Sequence, residues 1–316
     1  MATVTSRDKM NMADPFTQKG LIKESTASLI VANDGYWESR YTGSFGYSYS
    51  KLVSGTLTGY SESAGGIAVY EIKDVSVPVT LAFNNSLPTS DLLSLHAEFI
   101  FAGDDTFNGS GRYPEVFLGY AGNDRFNTLS GSDTIDGGTG TDTVIYDGTR
   151  SDHTVSKVGG AWHSSGPKGL SGDFDTLTDV ERLSFTDGTL GLDTVSGSSG
   201  VMYRLYKAAF DRVPDTPGLG HNIRLMDGGL TLAQMSDAFV VSAEFTNTYG
   251  ALSNAQFINQ LYLNVLDRTP DAPGLAWNVN LLNTTHTRHE MLSGFSESAE
   301  NQAAVIGQIQ DGIWFT

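Results

Sequence analysis

Hydrophobic and polar positions change rhythm three times along this chain of 316 residues. Tyr41, Gly43, Phe45, Tyr47 and Tyr49 alternate with Thr42, Ser44, Gly46, Ser48 and Ser50, the period-two pattern of a strand with one polar face. Apolar-rich segments at 52–60, 67–73 and 75–83 follow, separated by Ser, Gly and Asp, and together they predict a small antiparallel β domain over 26–100. Residues 1–25 are polar and aperiodic, which predicts a flexible N-terminal arm. Over 101–146 the repeat lengthens to nine residues. The Gly/Ser-rich run from Gly191 to Gly200 reads as flexible, with 196–200 as the linker proper, and behind it the period becomes ~3.6, that of helices.

The nine-residue unit is Gly-x-Asp-x followed by a large apolar residue: Gly122/Asp124/Phe126, Gly131/Asp133/Ile135 and Gly140/Asp142/Val144. An earlier copy, Gly103/Asp105/Phe107, lies nineteen residues before its counterpart, so the segment between, with Glu115 and Phe117, reads as one degenerate unit plus one extra residue. One short strand and one glycine-rich turn per unit suit half a coil of a parallel β-roll. Asp124 and Asp142 then stack on one edge, Glu115 and Asp133 stack on the other, and Phe126, Ile135 and Val144 point inward. Stacked strands lie ~4.8 Å apart, and two carboxylates at ~5 Å repel by roughly 3 kcal/mol at an effective dielectric of about 20. A hard cation that takes carboxylate and backbone carbonyl oxygens together removes the conflict, which is calcium's preference. Glycines at 119, 122, 131, 137, 138 and 140 permit the tight turns this requires.

Gly137-Gly138-Thr139-Gly140-Thr141-Asp142-Thr143-Val144-Ile145 fits the nonapeptide G-G-x-G-x-D-x-U-x at every defined position. On these residues the chain resembles the RTX family of secreted calcium-binding bacterial proteins. The other copies are weaker: Gly119-Tyr120 keeps one leading glycine and Thr128-Leu129 keeps neither. The resemblance implies Ca2+ as cofactor, held by Asp105, Asp124, Asp133 and Asp142 with backbone oxygens around Gly119, Ala121, Gly122, Gly131, Gly137, Thr139 and Gly140. It also implies export by type I machinery, directed by an uncleaved C-terminal signal. The segment from Asp175 to Gly188 resembles the run that closes such rolls, so roll and capping strands are expected over 101–195. Asp175, Asp179 and Asp187 are expected in turn and cap roles.

An internal repeat organises the last third. Residues 205–219 align without a gap on 261–275 at an offset of 56, and the match continues from Ser242-Ala243-Glu244 to Ser298-Ala299-Glu300. In the shared Asp-Arg-x-Pro-Asp-x-Pro-Gly-Leu element, proline ends one helix and Asp215 or Asp271 caps the next, while Arg212 or Arg268 bridges the turn to carboxylates. Thr231 with Gln234, Ser253 with Gln256 and Thr287 with Glu290 predict capping boxes. Over about 201–303 the pair resembles a helical domain of unknown function common in RTX proteins. The predicted fold class is therefore multidomain β plus α: an N-terminal antiparallel β domain, a short calcium-binding parallel β-roll with a β cap, and a duplicated all-α domain over 201–316 that ends in the secretion signal.

Formal charge is −17, from 36 acidic and 19 basic residues, which disfavours nucleic acid as a partner. The absence of cysteine removes disulfides and thiolate sites. No basic segment followed by a long apolar run opens the chain, and Leu29-Ile30-Val31-Ala32 is too short to span a membrane. No Gly-x-Ser-x-Gly elbow, phosphate-binding loop or His-Glu-x-x-His helix occurs. His286-Thr287-Arg288-His289-Glu290 has the wrong order for a zincin and falls on a predicted cap. Acidic pairs such as Asp104-Asp105 and Asp173/Asp175 are what any acidic protein offers.

The expectation is a non-enzymatic, calcium-binding extracellular structural or adhesive protein that self-associates on calcium binding, as surface-layer or filament material. The alternatives are a carbohydrate- or ligand-binding module, with the Tyr41/Phe45/Tyr47/Tyr49 row as a platform for a cell-surface polysaccharide, and a small secreted hydrolase.

Overall fold

The alternating segment becomes the longest hairpin among the described residues. In the computed structural model, which describes residues 1–6, 12, 21–33, 35–48, 51–82, 97–166 and 174–316, β4 (Trp37–Ser48) pairs antiparallel with β5 (Lys51–Ala64). The chain divides into two compact units, Met1–Asp187 and Gly188–Thr316.

The first unit begins with β1 (Thr3–Ser6), β2 (Leu21–Ser25) and β3 (Leu29–Asn33), and continues past the hairpin with β6 (Ile67–Lys73) and β7 (Val77–Pro78). Short helices α1 (Val79–Ala82) and α2 (Ala97–Ile100) follow, so of the segment expected as a strand at 75–83 the described part, 75–82, holds a two-residue strand and a helical turn, and residue 83 lies outside the described residues. Tyr41 and Phe45 are buried, as core residues would be, while Tyr47 stays 37% exposed; Tyr49 lies outside the described residues. Beneath this sheet Tyr60 donates to the buried Glu62 carboxylate at 2.8 Å.

The flexible arm expected at 1–25 requires correction. β1 pairs antiparallel with β6 and parallel with the first strand of the nine-residue repeat, and its Val4 is fully buried. Four residues are too few for alternation to stand out in a sequence. Residues 7–11 and 13–20 lie outside the described ones.

The nine-residue repeat forms β8 (Thr106–Asn108), β9 (Val116–Leu118), β10 (Arg125–Asn127), β11 (Thr134–Asp136) and β12 (Thr143–Ile145). Successive strands alternate between two parallel ladders: β8, β10 and β12 stack in one, β9 and β11 in the other. Phe107, Phe126 and Val144 lie in register on one side and Phe117 and Ile135 on the other. All five are at most 1% exposed, and Phe107 stacks on Phe126 with ring centroids 4.9 Å apart. The inward positions are those the nine-residue period predicts.

A hairpin of β13 (Thr154–Val158) and β14 (Ala161–Ser165) then interrupts the coil. β15 (Phe174–Thr178) and β16 (Arg182–Phe185) resume it, pairing parallel with β11 and β12 respectively. The segment expected to close the stack thus adds one more coil to it.

The second unit opens with β17 (Gly188–Gly191), antiparallel to β18 (Ile313–Phe315). Between them lie α3 (Ser198–Phe210), α4 (Thr216–Asp227), α5 (Leu232–Val240), α6 (Ala243–Tyr249), α7 (Asn254–Leu266), α8 (Ala272–Thr284), α9 (Arg288–Ser296) and α10 (Ala299–Ile309). Residues 196–200 are not a linker. Gly197 is the N-cap of α3 and 198–200 are its first turn. Gly200 is buried, and a Cβ there would lie 2.1 Å from the Thr194 carbonyl oxygen, so this glycine serves close packing.

The three capping boxes form at Thr231, Ser253 and Thr287, and Asp215 and Asp271 cap α4 and α8. The turn chemistry repeats in detail. Arg212 pairs with Glu244 at 2.7 Å and lies over Tyr206, while Arg268 pairs with Glu300 at 3.6 Å and lies over Tyr262. Equivalent helices pack on each other, α3 on α7 and α5 on α9. One feature breaks the symmetry: buried Arg204 is forked onto Glu297 at 2.6 and 2.9 Å, where the second copy has Gln260 and, opposite it, Val241.

Candidate metal centre

The coil brings the acidic residues of the repeat into two columns. On the first edge each carboxylate accepts from the backbone N–H of the acid one coil earlier: Asp124 from Asp105 at 2.7 Å, Asp142 from Asp124 at 2.8 Å, and Glu181 from Asp142 at 2.8 Å. Asp105 in turn accepts from the N–H of Ala2. On the second edge Asp133 accepts from Glu115 at 2.8 Å and Asp175 from Asp133 at 2.9 Å. The predicted stackings of Asp124 with Asp142 and of Glu115 with Asp133 are therefore present. Glu181 is a further member that sequence reasoning missed. It lies 39 residues beyond Asp142, because the β13–β14 hairpin breaks the period.

One oxygen of each first-edge aspartate is used in this way. The second oxygens of Asp105, Asp124 and Asp142 are buried and have no hydrogen-bond partner among the described residues. Burying an ionised oxygen without a partner is costly, and the aspartates titrate accordingly. Burial, with smaller contributions from neighbouring carboxylates, pushes Asp124 up to about 7 and Asp142 up to about 6. Burial also raises Asp105.

What stands opposite these oxygens is space and carbonyls. A Cβ on Gly119 would lie 2.3 Å from Asp124 Oδ2 and 2.3 Å from the Gly137 carbonyl oxygen. A Cβ on Gly137 would lie 2.6 Å from Asp142 Oδ2 and 2.1 Å from the Asp179 carbonyl oxygen. Each glycine keeps clear a cradle between one orphaned carboxylate oxygen and one backbone carbonyl. Such an oxygen set fits a hard cation, calcium above others. Among the described residues no three His, Cys, Asp or Glu side chains converge, so any ion here relies on carbonyl oxygens as well.

The repeat's glycines therefore do two different jobs. Gly122, Gly131 and Gly140 have φ of +126°, +132° and +141° and serve the turn. Gly119 and Gly137 lack positive φ and serve the cradle. The next position in each of the three units is left-handed as well: Gly138 there is unstrained, whereas Tyr120 (φ +68°) and Leu129 (φ +63°) hold it without glycine. Of the remaining predicted positions, Ala121 and Thr139 form a parallel bridge, and the Thr139 carbonyl accepts from Gly122 N–H at 2.9 Å. Gly131 packs beside Asp133 and the Tyr113 carbonyl.

The second edge differs in part: Gly109 still stands beside Glu115 there, where a Cβ would lie 2.7 Å from Glu115 Oε2 and 3.0 Å from the Thr128 carbonyl oxygen. Thr128, buried, occupies the position of Gly119 and Gly137. Glu115 Oε2 accepts from Ser110 N–H at 2.7 Å, and the Tyr146 hydroxyl donates to Asp175 Oδ2 at 2.8 Å. Burial, then the nearby Asp175 charge, raises the Tyr146 pKa well above the usual phenol value, which keeps the proton that makes it a donor.

In the helical unit the histidine cluster is absorbed by capping. Glu290 accepts from Thr287 N–H at 2.7 Å, and His289 faces Asp237 at 3.5 Å. Asp104 is engaged by Asn123 N–H at 2.8 Å; Asp173 lies outside the described residues. Among the described residues no helix is long and apolar enough to cross a membrane.

Residues 236–305 match the family described as a domain of unknown function, DUF4214. The match covers the end of the first helical copy and nearly all of the second, a narrower span than the 201–303 of the internal repeat. No family model of calcium-binding nonapeptide repeats matches the chain. No curated protein matches it either.

Proposed function

We propose that this chain is a non-enzymatic, calcium-binding structural or adhesive protein of the extracellular space, whose coil stack acts as an RTX-like β-roll. The reading is supported above all by the buried, unpartnered oxygens of Asp124 and Asp142, each facing a glycine-cleared cradle with a backbone carbonyl. Asp124 with the Gly137 carbonyl, and Asp142 with the Asp179 carbonyl, would hold the ions; bound calcium supplies the positive charge that lets both carboxylates stay ionised inside the stack. The chain's own part is positional. Oδ1 of each aspartate is pinned by a backbone N–H, so Oδ2 is presented without further side-chain ordering. Extracellular modules bind calcium at roughly 10⁻⁴–10⁻³ M, which makes the outside of the cell the place where this unit becomes stable.

Calorimetric titration with calcium, beside the Asp142→Ala variant, tests the proposal. Binding with a rise in melting temperature, and one ion fewer in the variant, is the expected result. Unchanged stoichiometry and chelator sensitivity in Asp142→Ala would remove the assignment.

A further inference from the structure

The two cradles of the first edge share one frame but differ in the charge around them. The residue before the cradle glycine is Leu118 at the first and Asp136 at the second, and these two lie opposite each other in register. One coil further on, the place of the cradle glycine is held by Gly137 for the first cradle and by Asp179 for the second, and each supplies the carbonyl oxygen of its cradle. Asp179 is left-handed at φ +45°, a conformation that glycine adopts freely and that aspartate and asparagine tolerate. Glycine would meet that backbone requirement without adding a carboxylate. After burial, Asp136 and Asp179 are the neighbouring carboxylates that push Asp142 up most, whereas Asp124 is raised by burial and then by Asp142, Asp105 and Asp104.

We propose, resting on the calcium reading of the coil stack, that the two cradles are unequal sites: the second, at Asp142, fills first, and Asp136 and Asp179 are the residues that set its higher affinity. The buried, unpartnered Oδ2 of Asp142 makes the position a site; the two flanking acids grade it. They do not converge with Asp142 as a set of three ligands among the described residues, so their part is charge. Two more negative groups stand beside a doubly charged ion, in a class of site whose Kd follows charge count and rigidity. Asp136 is half-buried and Asp179 exposed, so salt screens the effect. Without the ion the same groups repel Asp142, and neutralising either one relieves that repulsion.

Calorimetric calcium titration of the full chain at low and high salt tests this, with Asp124→Ala and Asp142→Ala assigning the sites. Two unequal affinities are expected, the tighter lost in Asp142→Ala and the weaker in Asp124→Ala, with the gap narrowing as salt rises. Asp136→Asn and Asp179→Asn should each weaken the tighter site roughly tenfold and leave the number of bound ions unchanged. In chelator both variants should melt no lower than the parent, since asparagine at 179 keeps the left-handed turn. Equal affinities, a tighter site lost with Asp124→Ala, or Asn variants that keep the parent's affinity or melt lower in chelator would overturn the inference and leave the calcium reading standing. A parent that binds no calcium would remove both.

Discussion

On the first edge of the coil stack, glycines stand beside the carboxylates of Asp124 and Asp142; on the second, Thr128 holds the equivalent position and Tyr146 reaches Asp175. Both edges stack acids through the same N–H to carboxylate bond. They differ in what satisfies the remaining oxygens. At the second edge the Tyr146 phenol meets Asp175 Oδ2 and the Ser110 N–H meets Glu115 Oε2. At the first, Asp105, Asp124 and Asp142 each keep one buried oxygen with no hydrogen-bond partner among the described residues. A repeat can thus keep one backbone frame and still vary what stands beside its acids, with Thr128 and the Tyr146 phenol as the departures on the second edge.

The largest effect expected from this difference is on ion removal. At calcium a hundredfold above Kd each occupied site adds about 2.7 kcal/mol, so two cradles lose about 5 kcal/mol in chelator. The pH dependence of the ion-free protein should carry its own mark. Asp124 and Asp142 have folded pKa values raised from 3.8 to about 7 and about 6, so protonated carboxyls favour the folded state. Their contribution is fully present below pH 3.8 and is lost as pH rises through about 6 to about 7. Chelated protein should therefore melt at falling temperature across that window, and calcium should abolish the fall. An ion-free protein that gains stability over the same range would contradict the burial of these oxygens.

Substituting the cradles should separate the edges next. In Gly137→Ala the added methyl would meet the Asp179 carbonyl at 2.1 Å and Asp142 Oδ2 at 2.6 Å. Overpacking of this kind costs about 1–3 kcal/mol, and the calcium-linked stabilisation at that cradle should vanish with it. Thr128→Gly should leave the calcium response of the first edge as it was. Denaturant melts with and without calcium read both outcomes.

How much of this could be read beforehand follows from the physics of each position. The nine-residue period was legible because Asp and Gly recur wherever the coil needs a carboxylate or a left-handed turn, and the inward Phe126, Ile135 and Val144 followed from it. The two jobs of glycine were not, since Gly119 and Gly122 look alike as letters while one clears space and the other supplies positive φ. Glu181 and the Tyr146 to Asp175 bond escaped because the β13–β14 hairpin places partners 39 and 29 residues apart, outside any period. Gly200 read as flexible for the same reason that Gly119 read as a turn. In the helices the caps were legible, being local, whereas the carboxylates that Arg212 and Arg268 reach, Glu244 and Glu300, lie 32 residues away and were not.

A smaller effect belongs to the second edge. Tyr146→Phe removes the donor to Asp175 Oδ2 and keeps the ring that stacks near Phe185 at 5.6 Å. An acceptor left buried costs about 1–3 kcal/mol. That loss should be equal in calcium and in chelator, because no cradle is touched; a calcium-dependent difference would show that the second edge also closes on an ion.

The smallest effect tests the frame that both edges share. Leu129 holds a left-handed conformation with φ +63° while 61% exposed, and a non-glycine residue there carries about 1–2 kcal/mol of strain. Leu129→Gly relieves that strain but loosens the unfolded chain by roughly 0.5–1 kcal/mol, so a net gain of about 0.5–1 kcal/mol is expected, seen as a rise of a few degrees in melting temperature. Tyr120 occupies the corresponding left-handed position on the other edge with φ +68°, yet its ring stacks on Phe101 at 6.3 Å. Tyr120→Gly should therefore lose packing as it loses strain and gain nothing. If both variants shift the melting temperature by the same amount, left-handed strain alone governs the position; if Leu129→Gly destabilises, the exposed leucine is contributing contacts that its position does not suggest.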